Sequence, residues 1–432
     1  MYALFMQEAG VHRHRRTWLL GMAVAVLSVL TGPAAASADP VTVTTGALFN
    51  DPAGTTAEQD RIRDHVVSLV DDAPAGSTVQ MSMYTFTDDV LRTALIAAKD
   101  RGVAVRVVVD YKSHNFKPDG TELTKGGEYE NLAAALGTDR TRPSWILSCP
   151  QGRACIANRK LNSGDDGSIN HNKFFLFSHT GGADDVVVQT SANMSGTQRT
   201  DLFNNAVTLV DAGLYANYQA YFDDQVANGS SGTSDNGYYA TPTSATNPNY
   251  KNYFFPRKES AGTTYSTDPA TDTVKLILDK VTCSSTQHSE VRMAANLFYR
   301  DQIATKLVAM VNAGCKVYLA ADANPDGGGS GVPSMGKTVE SILYGKLTQR
   351  VECFETPPAG HTVNIGIHSK YLLVKGTYEG VANEKVVWTG SHNYSWQALR
   401  SNDETILKIN DDAVYDQFKA NHDRLMAYCA GS

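Results

Sequence analysis

Val79-Gln-Met-Ser-Met-Tyr-Thr-Phe86 and Val291-Arg-Met-Ala-Ala-Asn-Leu-Phe298 are two copies of one strand-like segment. Each leads into a stretch with apolar residues on one helical face. These are Val90, Leu91, Ala94, Leu95 and Ala98 in the first copy, and Ile303, Leu307, Met310 and Val311 in the second. Spacings of three and four predict an amphipathic helix. Each helix runs into a glycine, Gly102 or Gly314, where a C-terminal cap would need one. A second strand follows, 103–110 or 315–322, and ends on Asp110 or Asp322. A strand–helix–strand unit that occurs twice predicts an α/β fold with buried sheets.

The repeat continues. His171-Asn-Lys173-Phe-Phe-Leu-Phe matches His368-Ser-Lys370-Tyr-Leu-Leu-Val, and Val186-Val-Val-Gln-Thr-Ser-Ala-Asn193 matches Val386-Val-Trp-Thr-Gly-Ser-His-Asn393. The segment from Asn204 to Asp211 then matches the one from Glu404 to Asp411, and a helix carrying Tyr215 or Tyr415 closes each copy. Two similar halves with buried sheets are expected to pack face to face as a pseudo-twofold pair. The expected organisation is a leader over 1–38, a first half over 39–228, a connector over 229–272 and a second half over 273–432. The Ser-, Gly-, Thr- and Asn-rich stretch 229–247 marks the connector, and the glycine run in 326–336 predicts a loop. The aromatics between Tyr250 and Phe255 fit a strand packed on the core, or a lipid-facing lip. Thr55-x-x-Glu58, ahead of Ile62, Val66, Leu69 and Val70, predicts a capped N-terminal helix.

Arg13, Arg15 and Arg16, an uncharged apolar run over 18–30, and Ala36-Ser37-Ala38 have the three-part layout of a secretory leader cut after Ala38. The formal charge is −7. An acidic exported chain is poorly suited to general nucleic-acid binding, although a local basic pocket is compatible with it. The six cysteines all follow the leader, and an even number in an exported chain predicts disulfides. Cys149 and Cys155 flank a short turn and are expected to pair. Cys315 is paired with Cys353 because each lies in a strand-like segment, which leaves Cys283 with Cys429.

Residues two apart on a strand share a face, so His171 projects with Lys173, and His368 with Lys370. Asn193 and Asn393 each end a following strand. If the halves meet face to face, two histidines, two lysines and two asparagines converge. Such a set suits cleavage of a phosphodiester. Lysines and amides hold the non-bridging oxygens, one imidazole attacks phosphorus, and the other moves protons. The positive charge comes from side chains, so no cofactor or metal is expected. A lysine on an edge strand would ordinarily face solvent, but 174–177 and 371–374 read as buried runs. Glu404 alone could be a surface partner of Arg400. His65, His114, His179, His288, His361 and His422 have no counterpart in the repeat, and His392 sits inside the second S-x-N.

With two H-x-K motifs, each followed by S-x-N, the chain resembles the phospholipase D superfamily, whose signature is H-x-K-x4-D followed by G-S-x-N. The resemblance runs from about Val43 to Cys429, and the 149–155 stretch looks like that of secreted actinobacterial members. It implies one active site at the interface of the halves, His171 as nucleophile, His368 as general acid, and Lys173, Lys370, Asn193 and Asn393 as phosphate ligands. It also implies a carboxylate after each asparagine. The second half has Glu404 there, expected against His171 across the pseudo-twofold, whereas the first has Asn204. Ser178 and Lys375 stand where the family has aspartate, and Thr190 where it prefers glycine. The implied activity is removal of phospholipid head groups, with water or an alcohol as acceptor, transient contact with a membrane surface, and a monomeric chain. A nuclease of the same superfamily, and a catalytically weak binding or toxin-like protein on that scaffold, are the alternatives. A basic groove would favour the nuclease and an apolar rim the lipase.

Overall fold

The computed structural model describes residues 43–115, 126–162, 167–286, 288–327, 331–356 and 363–431. The expected leader, His361 and the middle of the glycine run lie outside them.

Two sheets carry the chain. The first has the order Gly46–Phe49, Asn205–Val210, Ala183–Thr190, Lys173–Thr180, Thr78–Met83, Ala104–Val109, Trp145–Ser148. The second repeats it as Tyr250–Phe255, Glu404–Asn410, Val381–Gly390, Tyr371–Tyr378, Glu290–Ala295, Lys316–Asp322, Gln349–Glu355. In each, the last three strands are parallel and the others antiparallel. Tyr250–Phe255, inside the stretch expected as connector, is therefore an edge strand of the second sheet, in the place that Gly46–Phe49 takes in the first. The helix Ala212–Ser231 also runs into that stretch.

Strand alternation sorts the core into three clusters. Phe174 and Leu176 face a central layer shared by both sheets, whereas Phe175 and Phe177 face outward. The central layer holds the helices Ala212–Ser231 and Asp412–Tyr428. Tyr218 meets Phe174 at 5.0 Å between ring centroids, and Tyr221 stacks on Phe254 at 4.2 Å. Phe418 in turn lies 5.2 Å from Tyr371 and 5.1 Å from Phe49. Outside the first sheet pack Arg61–Asp71, Asp89–Asp100 and Glu128–Leu136; outside the second pack Thr273–Asp279, Asp301–Asn312 and Lys337–Leu343.

The local signals were mostly legible. The capping box at Thr55 and Glu58 forms, and Ile62, Val66, Leu69 and Val70 are buried. Gly102 and Gly314 follow their helices with φ of 95° and 100°. Leu91, Ala94, Leu95 and Ala98 are buried, but Val90 is exposed, because the stripe they form leaves the first turn's Val90 beside it.

Two of the expected disulfides are corrected. Cys149 bonds Cys155 as expected, but Cys283 bonds Cys315, and Cys353 bonds Cys429. The strands Lys316–Asp322 and Gln349–Glu355 are parallel, with Asp322 opposite Cys353. Cys315 stands at the start of one strand and Cys353 near the end of the other, roughly 20 Å apart along the sheet. A disulfide spans only about 4.4–6.8 Å between Cα atoms. Two strand cysteines suggested a bridge, and the strand direction forbids it.

The halves are joined by short parallel pairings at the pseudo-twofold. Gly366 and Ile367 of the second half pair with Leu202 and Phe203 of the first. Asn170 of the first half pairs with Asp403 of the second. These pairings immediately precede His368 and His171.

Candidate active site

Each H-x-K begins a central strand, and the other half holds its backbone. The His171 amide donates to the Asp403 carbonyl at 2.9 Å, and the His368 amide to the Phe203 carbonyl at 2.9 Å. Asp403 is itself fixed. Its buried carboxylate accepts from the amides of Ile156 and Ala157, both at 2.9 Å, just past the Cys149–Cys155 bridge.

The ring nitrogens are also held from the opposite half. Nδ1 of His171 lies 2.9–3.0 Å from the carboxylate of Glu404. Nδ1 of His368 lies 2.9 Å from Oδ1 of Asn204. The S-x-N serines secure both partners: Ser391 donates to Glu404 at 2.5 Å, and Ser191 to Asn204 at 2.9 Å. Asn204 donates through Nδ2 to the carbonyls of Gln198 and Leu202, so its oxygen faces the imidazole. Both Nδ1 atoms are therefore donors, which leaves Nε2 of each ring as the atom available for chemistry.

Lys173 and Lys370 are buried, and each Nζ donates to its own histidine's carbonyl, at 2.7 and 2.6 Å. The Lys173 ammonium also lies 5.4 Å from the centre of the Tyr84 ring, which flanks His171 at 5.1 Å. Asn193 and Asn393 are buried at the strand ends; the Asn393 side-chain oxygen accepts from the Leu297 amide at 3.4 Å. His392 turns towards the outer core. It lies 4.4 Å from the Phe255 ring and lines a small cavity with Trp388, Val274 and Lys370.

The charges of these groups bear on one another. Burial, and then the charges of both lysines, push the proton affinity of His171 and of His368 well down. Burial pulls Lys173 to about 7 and Lys370 well below its usual range. Burial raises Glu404 to about 8, against the pull of Lys173. An anion placed among the lysines would relieve their mutual repulsion and favour their charged forms. The geometry therefore suits a phosphate group.

Sequence reasoning missed two buried aspartates. Asp110 accepts from the amides of Lys112 at 2.9 Å and Asn170 at 2.7 Å. Asp322 accepts from the amide of Ile367 at 2.8 Å and from the hydroxyl of Ser334. Asn170 and Ile367 directly precede the two histidines. The signal was present, since both aspartates close equivalent strands of the repeat. The positions that depart from the family pattern lie elsewhere. Ser178 accepts from the Thr78 amide at 2.8 Å, and Lys375 is exposed. Each is five residues along its strand from the lysine of its H-x-K, roughly 16 Å away.

The profile of a family described as "Cardiolipin synthase, PLD-like domain" matches residues 72–226 and 282–426. No curated protein is similar enough in sequence to count as a relative. Among solved structures, phosphatidylserine synthase from Haemophilus influenzae Rd KW20 superposes with a TM-score of 0.57 at 12% identity, covering 88% of this chain and 86% of that one. Polyphosphate kinase from Porphyromonas gingivalis superposes with a TM-score of 0.52 at 12% identity, covering 88% of this chain. The chain spans 50% of that kinase's length.

Proposed function

Because the chain belongs to the PLD-like domain family, which matches both of its halves, we propose that it is an exported phospholipase D-type phosphodiesterase. It removes the head group of a phospholipid and passes the phosphatidyl group to water or an alcohol. The observation that carries this reading is the unequal backing of the two histidines, a carboxylate behind His171 and an amide behind His368.

Glu404 holds the proton of His171 on Nδ1, which leaves a lone pair on Nε2. That lone pair attacks phosphorus, and the bond from phosphorus to the head-group oxygen breaks. The anionic diester among the lysines favours the imidazolium of His368, which gives its Nε2 proton to that oxygen, and the alcohol leaves. The phosphorylated imidazole is cationic, so a carboxylate on its far nitrogen stabilises it. Neutral His368 then takes a proton from water or an alcohol, whose oxygen attacks phosphorus. The phosphorus–nitrogen bond breaks, its electron pair returns to Nε2 of His171, and His368 is again protonated. Lys173, Lys370, Asn193 and Asn393 hold the non-bridging oxygens through both steps.

Export is supported by the three disulfides, which persist in oxidising compartments. No helix among the described residues is long and apolar enough to cross a membrane. The test is release of choline and phosphatidic acid from phosphatidylcholine vesicles in EDTA, with wild type and His171→Ala. Release by wild type that disappears in the variant is expected. Absence of release by wild type, with cleavage of single-stranded DNA instead, would replace the lipid by nucleic acid.

A further inference from the structure

We propose that Asp110 and Asp322 are positioning residues, each setting one of the two histidine–lysine arms, and so serving different chemical steps. The inference rests on the reading of His171 as nucleophile and His368 as general acid.

The two aspartates are equivalents in the repeat. Asp110 directly follows the strand Ala104–Val109, and Asp322 ends the strand Lys316–Asp322. Both are 2% exposed. Each grips the backbone just before a histidine. Asp110 fastens the amide of Asn170, and Asp322 that of Ile367, so each carboxylate fixes where its H-x-K strand begins. Their other oxygens are tied to their own halves, through the amide of Lys112 for Asp110 and through Ser334 and the amide of Asn324 for Asp322. Each also bears electrostatically on the lysine of its own arm, Asp110 on Lys173 and Asp322 on Lys370, favouring the charged ammonium. The second contact depends on a missing side chain, since a Cβ on Gly366 would sit 2.2 Å from Asp322 Oδ1.

Two carboxylates that merely stabilised the fold would slow all substrates alike. Positioning residues on separate arms would not. A p-nitrophenolate leaves without protonation and a choline alkoxide does not, so only the arm of the general acid should sense the leaving group. The experiment reads the first turnover, because His368 also serves as the base of the second step. It follows release of choline from phosphatidylcholine and of p-nitrophenolate from phosphatidyl-p-nitrophenol, both in vesicles, for Asp110→Asn, Asp322→Asn and the control below. An asparagine can accept one amide but turns its own NH2 group to the other donor. Asp110→Asn is expected to slow both substrates by a like factor of about 10–100, and Asp322→Asn to slow choline release by that factor while slowing the aryl ester under about 3-fold. Ser334→Ala, a milder loosening of the same carboxylate, should show the Asp322→Asn bias.

His368→Ala is the control on the reading beneath the inference. If it slows both substrates equally, the general-acid assignment falls. If it spares the aryl ester and Asp322→Asn does not, the inference falls. Amide hydrogen exchange gives a readout independent of turnover. Asp110→Asn should speed exchange at Asn170 and leave Ile367 unchanged, Asp322→Asn should do the reverse, and equal exchange at both sites would overturn the proposal.

Discussion

The carboxylate of Glu404, from the second half of the chain, lies 2.9–3.0 Å from Nδ1 of His171 in the first half. It accepts from Ser391 and Asn402 as well, so its own position is fixed before any substrate arrives. Glu404→Gln keeps the size and most of these contacts but removes the charge that, in the proposed mechanism, stabilises a phosphorylated His171. We expect kcat to fall at least ~100-fold, with the fold intact by circular dichroism. A loss under about 3-fold would show that the carboxylate does not act on the nucleophile.

Asn204→Asp places a carboxylate where His368 now has an amide oxygen at 2.9 Å. A negative charge at that distance favours the imidazolium, so the pKa of His368 rises. A general acid of higher pKa stays protonated to higher pH. The basic limb of the kcat/KM profile should therefore move up by roughly one pH unit, while the acid limb stays in place.

Anion binding should take up protons. In the free site burial holds Lys173 near 7. A lysine held so low has given up much of its charge at pH 8. An added anion restores that charge, because it favours the ammonium. Tungstate carries no proton at that pH, so titration calorimetry in Tris and in Hepes reads the uptake as a difference in apparent enthalpy. Identical enthalpies in the two buffers would contradict it.

Restoring the family aspartate should change little. Ser178→Asp and Lys375→Asp alter residues five positions along their strands from Lys173 and Lys370, and kcat should stay within about 2-fold of wild type. Ser178→Asp is expected to lower stability by about 1 kcal/mol if its carboxylate fits the Thr78 amide poorly. A large gain in kcat would mean that the substitutions had impaired the site.

Peptide mapping without reduction should recover Cys283 joined to Cys315, and Cys353 to Cys429. The second closes a loop of 76 residues, and Cys353→Ser with Cys429→Ser should lower the unfolding free energy by about 2–4 kcal/mol.

The convergence of the two H-x-K segments was more legible in the sequence than the disulfides were. His171, Lys173, His368 and Lys370 could be read because strand alternation fixes which side chains share a face, and because each pair recurs in a repeat. The Glu404–His171 contact followed from assuming the halves face each other. Disulfide partners depend on strand direction, which spacing does not record. Asp110 and Asp322 stood out as strand ends, but their partners are backbone amides, and an amide leaves no mark in the choice of residue. Tyr250–Phe255 was legible as a strand, yet its place beside Glu404–Asn410 required knowing that the first half also begins with an edge strand.

The crossed support of the two histidines has an evolutionary consequence. Two identical subunits that built such a site between them would have to put the same residue behind both histidines, because one codon would specify both. With both halves in a single reading frame, positions 204 and 404 are free to drift apart. Here they differ, asparagine at one and glutamate at the other, and in the proposed mechanism that difference is what gives two like histidines unlike work.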